Sequence, residues 1–583
     1  MAAPNYKLIT PHAAVIVWNY NDKGGLQDFT LSSVNDVEQT IISTLSCTSI
    51  TTEKSKSNPQ GSFRLVLAPS KNWISTITPG SWCVLLMSQN PIVASDFTKA
   101  DPSKVKMIGK IDSVRVDTTM GEDGARRTQY VVTGVDWGYV FNNIIYIDQN
   151  IDKAGAPPTQ GQASAIAIQN MLFDKNGLSR TDTVPSLLRS LIGIFGQPLK
   201  GLTQQGLDNN QLANASYNFL IPQLMVTYFN FIGPDGTPSP SQKINDLLTL
   251  FAGSLIASDT NGNLSATNGA YNNKAESGGI IDPRSLQGQH SFWQILQDNS
   301  NPGINEMLCD LRWESGGPRF ALYNRIRPFS LAFGGPAQYS SLQSFFQNVR
   351  TVSIDDVDVI SVNAGTNWGD KYNFVEIKPQ SQAFDVYAFW YKDLSQQWDP
   401  NAFSREGFRP LIVDTKQFPI SPSQTSVDIL TVDWNQIRSW VSLLKEWYFD
   451  THRMLNGTMT IIGQNTYIGV GDNIQINADL ISPTPNLTLT SNKNNTNGYL
   501  LAHVENVQHN FTVNEDGARQ FITTIQFVRG ILVNSNGQPI NNGVLDRYAT
   551  NPLGLSPTQD KNTVNAFSTS DVSDPDPKKV IGT

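Results

Sequence analysis

The sequence predicts a mainly β, β-rich α+β protein: two similar small antiparallel barrels, a mixed α/β insertion between them, and an extended C-terminal tail. Three observations carry that expectation. First, Glu122-Asp123-Gly124-Ala125-Arg126 returns as Glu515-Asp516-Gly517-Ala518-Arg519, and Ile111-Asp112-Ser113-Val114 precedes the first copy at the distance at which Val504-Glu505-Asn506-Val507 precedes the second. Both copies set Asp-Gly, which supplies the positive φ angles of a tight turn, between runs rich in Val, Ile, Thr, Tyr and Phe, so each reads as a β-hairpin in an internal repeat. Second, a Gly turn feeding a short strand precedes both hairpins, at Gly80-Ser81-Trp82-Cys83-Val84 and at Gly471-Asp472-Asn473-Ile474-Gln475. Third, the texture changes to helical spacing between the two repeats.

Taken in order, residues 1–147 form the first barrel. Ala13–Trp18, Ser62–Leu67, Trp82–Leu86 and the Asp123-Gly124 hairpin are short β-runs separated by Gly, Pro, Asn and Ser. Closure into a barrel removes the exposed edges such strands would otherwise leave. Residues 148–290 are a mixed, partly helical insertion. Thr159 and Gln162 make a capping box before Ile166, Met171 and Leu172; Pro185 opens a helix carrying Leu187, Leu188, Leu191 and Phe195; and Ile244, Leu247, Leu248 and Phe251 recur at helical spacing. Residues 291–351 connect the barrels through a helix capped by Ser291 and two strands, 305–313 and 319–329, paired across Gly316-Gly317. Residues 352–533 make the second barrel, with strands at 357–362, 373–377 and 457–463. A helix at 433–452 there buries Ile437, Trp440 or Val441, Leu444 and Tyr448. Residues 534–583, with Pro552, Pro557, Pro575 and Pro577 among Asn, Ser and Asp, lack the apolar content for a core of their own.

At 583 residues the chain exceeds what one core serves, so three or four domains are expected. Charged residues are only 16% against roughly 25% in an average domain, and uncharged polar residues replace them, a surface suited to packing against other subunits. A formal charge of −8 and an abundance of Asp and Glu over Lys and Arg argue against specific nucleic-acid binding, which needs clustered cations. Cys47, Cys83 and Cys309 are far apart and odd in number, which indicates buried thiols instead of a disulfide framework or zinc site. No stretch approaches the ~18 apolar residues of a spanning helix, and the N-terminus has no signal-peptide pattern. Assembly in a cytoplasm without membrane insertion is the expectation.

Candidate chemistry is sparse. Nucleophile-elbow, P-loop and H-E-x-x-H patterns are absent from the sequence. His503 and His509 lie six apart on one predicted strand and so on one face; ordinary sheet histidines are favoured over a metal pair. Asp259-x-Asn261-x-Asn263 starts like a calcium loop, but Leu264 and Ala270 occupy the Gly and Glu positions. Asp355-Asp356-x-Asp358 offers a cation or acid–base site against the plainer reading of a solvated strand start. Glu306 and Asp310 could imitate a glycosidase pair, although a structural salt bridge to Arg312 or Arg325 is favoured. Catalytic, cofactor-binding and metal residues are therefore expected to be none. Glu122, Asp123 and Arg126, with Glu515, Asp516 and Arg519, read either as solvated hairpin tips or as contacts to a neighbouring ring.

One resemblance emerges from Asn305-Glu306, Asp310-x-Arg312, Arg325-x-x-Pro328-Phe329, Gly457-x-Met459-x-Ile461-x-Gly463 running into Gly471-Asp472, and the last hairpin ending in Arg529-Gly530. In their order and spacing these resemble the central baseplate hub proteins of contractile-tailed bacteriophages, over roughly two-thirds of the chain. The resemblance implies a structural homotrimer with two tudor-like barrels per subunit, no cofactor and no enzyme activity. It would adapt a sixfold tail tube to a threefold central spike and leave a channel for the genome. Implied partners are the tail tube protein, the central spike protein, the tape measure protein and other baseplate components, within the virion tail and assembled in the host cytoplasm. The longer insertion and the C-terminal extension depart from the pattern. Two other function classes stay open at this point: a tail-associated cell-wall hydrolase with a site in residues 150–300, and the hub or spike base of a contractile secretion system.

Overall fold

Short alternating runs in the first 136 residues build seven strands: β1 (His12–Tyr20), β2 (Val37–Ile42), β3 (Cys47–Ser55), β4 (Ser62–Leu67), β5 (Trp82–Ser88), β6 (Val105–Met120) and β7 (Arg126–Asp136). The computed structural model describes residues 10–20, 37–120, 124, 126–143, 145–147, 223–230, 256–257, 280–281, 289–299, 303, 305–314, 317–326, 349–379, 404–415, 417–418, 441, 444–445, 448–449, 451–481, 498–514 and 516–533. The seven strands pair antiparallel in the order β3-β4-β7-β6-β5-β1-β2. The two ends of that path, β2 and β3, are joined by residues 43–46 alone, so the sheet coils round and encloses Val15, Val17, Ile50, Leu65, Leu85 and Val132.

The second module follows the same plan with six strands: β10 (Thr351–Ser353), β11 (Val359–Gly365), β12 (Leu455–Ile462), β13 (Asn473–Asn477), β14 (Tyr499–Val513) and β15 (Arg519–Val533). Their order is β11-β12-β15-β14-β13-β10, with β10 parallel to β13 and the rest antiparallel. Again the path ends are sequence neighbours, joined by residues 354–358, around a core of Met459, Ile461, Ile474, Val504, Ile525 and Phe527.

The repeat extends far beyond the pentapeptide. From Lys110 to Met120, shifting β6–β7 by 393 positions reproduces the pairs of β14–β15: Ile111↔Gly134 becomes Val504↔Phe527, and Met120↔Arg126 becomes Val513↔Arg519. The bulge falls at the same place, leaving Asp112 in one hairpin and Glu505 in the other without an opposite residue. The β3–β4 pair matches β11–β12 equally, with a second bulge at Thr48 and at Ile360. The Gly turn is also conserved in geometry. Gly80 N–H donates to Ile111 O (2.7 Å) and Ile111 N–H to Ser81 O (2.9 Å); Gly471 N–H donates to Val504 O (2.9 Å) and Val504 N–H to Asp472 O (2.9 Å). Gly80 and Gly471 have φ of 88° and 78°, the left-handed region that only Gly occupies freely. One cross-strand pair is inverted in size: Phe63 opposes Gly134 in the first module and Gly457 opposes Phe527 in the second. In the first module the Phe63 ring takes the space over Gly134, where a Cβ would stand 2.3 Å from it.

A single strand joins the modules. Beyond its bulge β14 leaves β13 and pairs antiparallel with β3, Asn506↔Ser55 through Thr512↔Ser49, so both modules share one 13-stranded sheet. Phe511 and Phe521, from the far half of the second hairpin, lie in the core of the first module.

The connecting segment sits against this junction. β8 (Asn305–Glu314) and β9 (Gly317–Ile326) pair as the sequence predicts, and the helix Phe292–Asn299 begins where Gln294 N–H meets Ser291 Oγ at 3.2 Å. A helix missed by the sequence reading, Gln223–Phe229, places Tyr228 5.6 Å from Trp18 and Phe229 6.4 Å from Trp313. Val441, Leu444 and Tyr448 have helical backbone within the predicted helix, and the first two are buried. Two expectations are corrected. Val357 belongs to a one-turn helix, Asp356–Asp358, and the strand starts at Val359. Phe374–Pro379 is a strand, but it pairs in parallel with Pro410–Thr415 outside the barrel sheet. The helices expected around residues 166, 187 and 247, and the tail 534–583, lie outside the described residues.

Candidate functional site

The polar residues singled out by the sequence converge at the junction of the two modules. Four of them are buried on β8: Asn305, Glu306, Asp310 and Arg312. Strand alternation sends Glu306, Asp310 and Arg312 to one face, where they meet cations and anions from both modules. Glu306 Oε2 lies 3.1 Å from Lys56 Nζ, 3.3 Å from His503 Nε2 and 3.6 Å from Arg529 Nη2. Lys56 also pairs with Glu505, the bulge residue, whose carboxylate is 3.6 Å from Arg529. Arg312 Nη1 donates to Asp472 Oδ1 at 2.5 Å and Nη2 to Val470 O at 2.7 Å, while Asp472 Oδ2 accepts from Gly469 N–H at 2.9 Å. The Tyr467 hydroxyl donates to Asp310 Oδ1 at 2.6 Å. Lys54 on β3 completes the set by pairing with Asp136 of β7.

Glu306 is held by Lys56 and Arg529, and Arg312 by Asp472 while its charge also acts on Asp310; Arg325 is opposite Glu306 in the β8–β9 register, its side chain outside the described residues. Cations of this cluster come from as far as 250 residues away along the chain, which no local motif announces. The titration behaviour follows from burial. Burial pushes the Asp310 carboxyl above its usual range against the pull of Arg312 and Lys54, whereas Lys56 and Arg529 outweigh burial at Glu505 and hold it low. Burial drives His503 down to about 3 although Glu306 pulls the other way, and burial with the nearby Lys106 takes His509 to about 3, so both rings are neutral. Lys106, donating to Ser103 O at 3.0 Å and Gln464 O at 2.7 Å, is brought by burial to about 7.

His503 and His509 do not share a face. The Glu505 bulge inserts one residue and inverts the alternation between them. His503 bonds Asn473 (3.0 Å) on the junction side, and His509 bonds Thr523 (2.9 Å) beside the Phe521 ring. Among the described residues no group of three His, Cys, Asp or Glu could hold a metal. Asp355 and Asp356 are exposed; Asp356 accepts from Asn477 Nδ2 at 2.9 Å and Asp358 from Gln464 Nε2 at 3.0 Å, which fastens the turn that closes the second barrel. The Asp259–Asn263 segment lies outside the described residues.

At the hairpin tips Gly124 and Gly517 take φ of 72° and 81°, and Asp516 Oδ1 accepts from Ala518 N–H at 2.9 Å. Arg126 is exposed and Arg519 half-buried; Glu122, Asp123 and Glu515 lie outside the described residues. Beside the ion cluster a cavity of about 10 Å³ is lined by Lys54, Lys106, Asp310, Tyr467 and His509 among others. That is room for one water, far below the roughly 300 Å³ at which ligand pockets begin. The geometry is that of a fastening: paired charges, most of them buried, tying β8 to both barrels.

No protein-family model matches the sequence, and no curated protein matches it. Among solved structures, a tail protein from Neisseria meningitidis MC58 is similar at 10% identity and a TM-score of 0.37, over 89% of this chain and 96% of that one. The 43 kDa tail protein of prophage MuSo2 from Shewanella oneidensis is similar at 11% identity and 0.35, over 89% and 98%. The Francisella PdpA-VgrG complex gives 8% identity and 0.32, over 89% of this chain and 58% of that one. At these scores none of the three establishes a shared fold.

Proposed function

We propose that this chain is a structural component of a bacteriophage tail baseplate, a hub whose three copies close into a ring between a sixfold tail tube and a threefold central spike. One observation carries the reading: two modules of one chain share two hairpins in the same register, each with a bulge at the same place, and a glycine turn of the same geometry. Three such chains present six nearly equivalent surfaces with threefold symmetry, which is what contact between a sixfold and a threefold body requires. The sequence resemblance supplies the biological setting and the copy number. Tail tube, spike, tape measure and other baseplate proteins are the partners it implies.

The chemistry of the described residues supports a structural role over catalysis. The acid–base cluster at the junction is buried and committed to ion pairs, and the adjoining cavity holds no more than a water. A charge of −8 per chain, −24 for three, repels phosphate and suits a channel that lets a genome pass without adhesion. The test is the mass in solution by light scattering. Three copies of the 64.2 kDa chain weigh about 193 kDa, and a stable dimer would refute the ring of six modules.

A further inference from the structure

Inside one chain the hairpin of the second module pairs with β3 of the first, and the register repeat makes that contact a template. The residues of β14 that meet β3, Asn506–Thr512, correspond to Ser113–Thr119 on β6. Their partners on β3, Ser49–Ser55, correspond to residues 361–367 on and just after β11. Among the described residues neither counterpart has a strand on that side: β11 ends the sheet path, and β6 beyond Asp112 is paired only with β7. We propose that these two edges belong together between copies: residues 115–119 of one chain pair antiparallel with residues 361–365 of the next. The register copies the internal one, so that Thr118 faces Val362 and Val116 faces Ala364. This deepens the ring reading above and rests on it only for the number of copies.

Two features of the edges fit a second copy of this chain. The strand residues buried at the internal contact are uncovered at the external one: His509 is 4% and Phe511 0% exposed, whereas their counterparts are Val116, 40% exposed, and Thr118, also exposed. Among the described residues, Val116 and Met120 on the β6 edge and Ile360 on β11 are large apolar side chains left exposed. An open, untreated edge in an isolated subunit would be an aggregation hazard; a heterologous contact that closes into a ring removes it. The external contact is more polar than the internal one, with Thr118 and Thr128 where the internal contact has Phe511 and Phe521. That suits a contact formed between preassembled subunits instead of within one folding chain.

The experiment is disulfide capture with the full chain carrying Thr118→Cys and Val362→Cys. Directly opposed antiparallel residues stand roughly 4.5–5.5 Å apart at Cα, within reach of a disulfide, and native Cys47, Cys83 and Cys309 are buried. Oxidation should link most chains into a non-reducing ladder that ends at three, while chains with either cysteine alone stay unlinked. Equal mixtures of the two single-cysteine chains should give linked pairs, which keeps the test valid if the double variant folds poorly. The off-register combination Val116→Cys with Val362→Cys should link at least tenfold less. An assembly of about 193 kDa that forms no link at Thr118–Val362 overturns the edge pairing and leaves the hub reading standing. A ladder that forms efficiently but closes at another number supports the pairing and refutes the hub reading, and a monomer at tens of micromolar overturns both.

Discussion

Replacing Glu306 by Ala withdraws the one carboxylate that touches three basic groups at the junction, Lys56 at 3.1 Å, His503 at 3.3 Å and Arg529 at 3.6 Å, in a site where Glu306 is 3% exposed. Lys56 and Arg529 would keep their contacts to Glu505 but lose the more deeply buried of the two carboxylates between them. Removing one member of a buried ion group costs about 3–5 kcal/mol, chiefly because the survivors stay desolvated and uncompensated. Glu505 is about a quarter exposed and water can reach it, so the lower end, about 3 kcal/mol, is expected. For a cooperative unit of 150–250 residues that is a fall in Tm of roughly 6–12 °C. The proper control is Asp101→Asn, which breaks the half-open Lys104–Asp101 contact at 3.8 Å and should cost under about 1 kcal/mol. Calorimetry of the two variants side by side decides the matter. A second variant, Glu306→Leu with Lys56→Met, should recover part of the loss, because burying no charge is often as good as burying a matched pair. If Glu306→Ala melted within about 2 °C of Asp101→Asn, the cluster would not be the desolvated fastening described above.

Other expectations follow from the same geometry. His503 and His509 are neutral in the fold, with values near 3 against 6.5 when unfolded. The unfolded chain therefore binds more protons between those limits, and stability is lost as pH falls below 6.5, at up to about 1.4 kcal/mol per pH unit for each ring. Denaturant titrations at pH 7 and pH 5 should show it, and His509→Gln should roughly halve the slope. Gly80→Ala and Gly471→Ala each force a left-handed Ala at φ near 88° and 78°, at about 1–2 kcal/mol apiece; unequal losses would count against the equivalence of the modules. Gly134→Ala sets a Cβ 2.3 Å from both the Phe63 ring and Lys110 O, and overpacking of about 2–3 kcal/mol is expected by the same assay. A peptidoglycan zymogram should show no clearing, whereas a cleared band would revive the hydrolase reading.

The hairpins were legible because their signals are local: Asp-Gly at the turn and β-branched runs on both sides. β3 was not. Its sequence, Cys-Thr-Ser-Ile-Thr-Thr-Glu-Lys-Ser, looks solvent-borne, and Thr52 and Lys54 are buried only because β14 covers them and Asp136 matches the charge. The strand that joins the modules was therefore hidden by its own polarity. The extent of the repeat was hidden for a different reason. Phe63–Gly134 and Gly457–Phe527 are both Phe–Gly pairs but exchange which strand supplies the ring, so the residues differ where the register is the same. The two histidines misled because a bulge cannot be seen in spacing, and one extra residue at Glu505 turned His503 away from His509. Glu306, Asp310 and Arg312 stood out in the sequence and are buried together in the fold, but their partners Lys56, Asp472 and Arg529 became visible only there.

The central claim, that this chain sets six like modules in one threefold ring, is tested most directly by electron microscopy of the assembled full-length protein. Class averages viewed down the axis should show six lobes at one radius, alternating in two kinds, with an open centre. Lobes at two different radii, or a ring whose copy number is other than three, would contradict it.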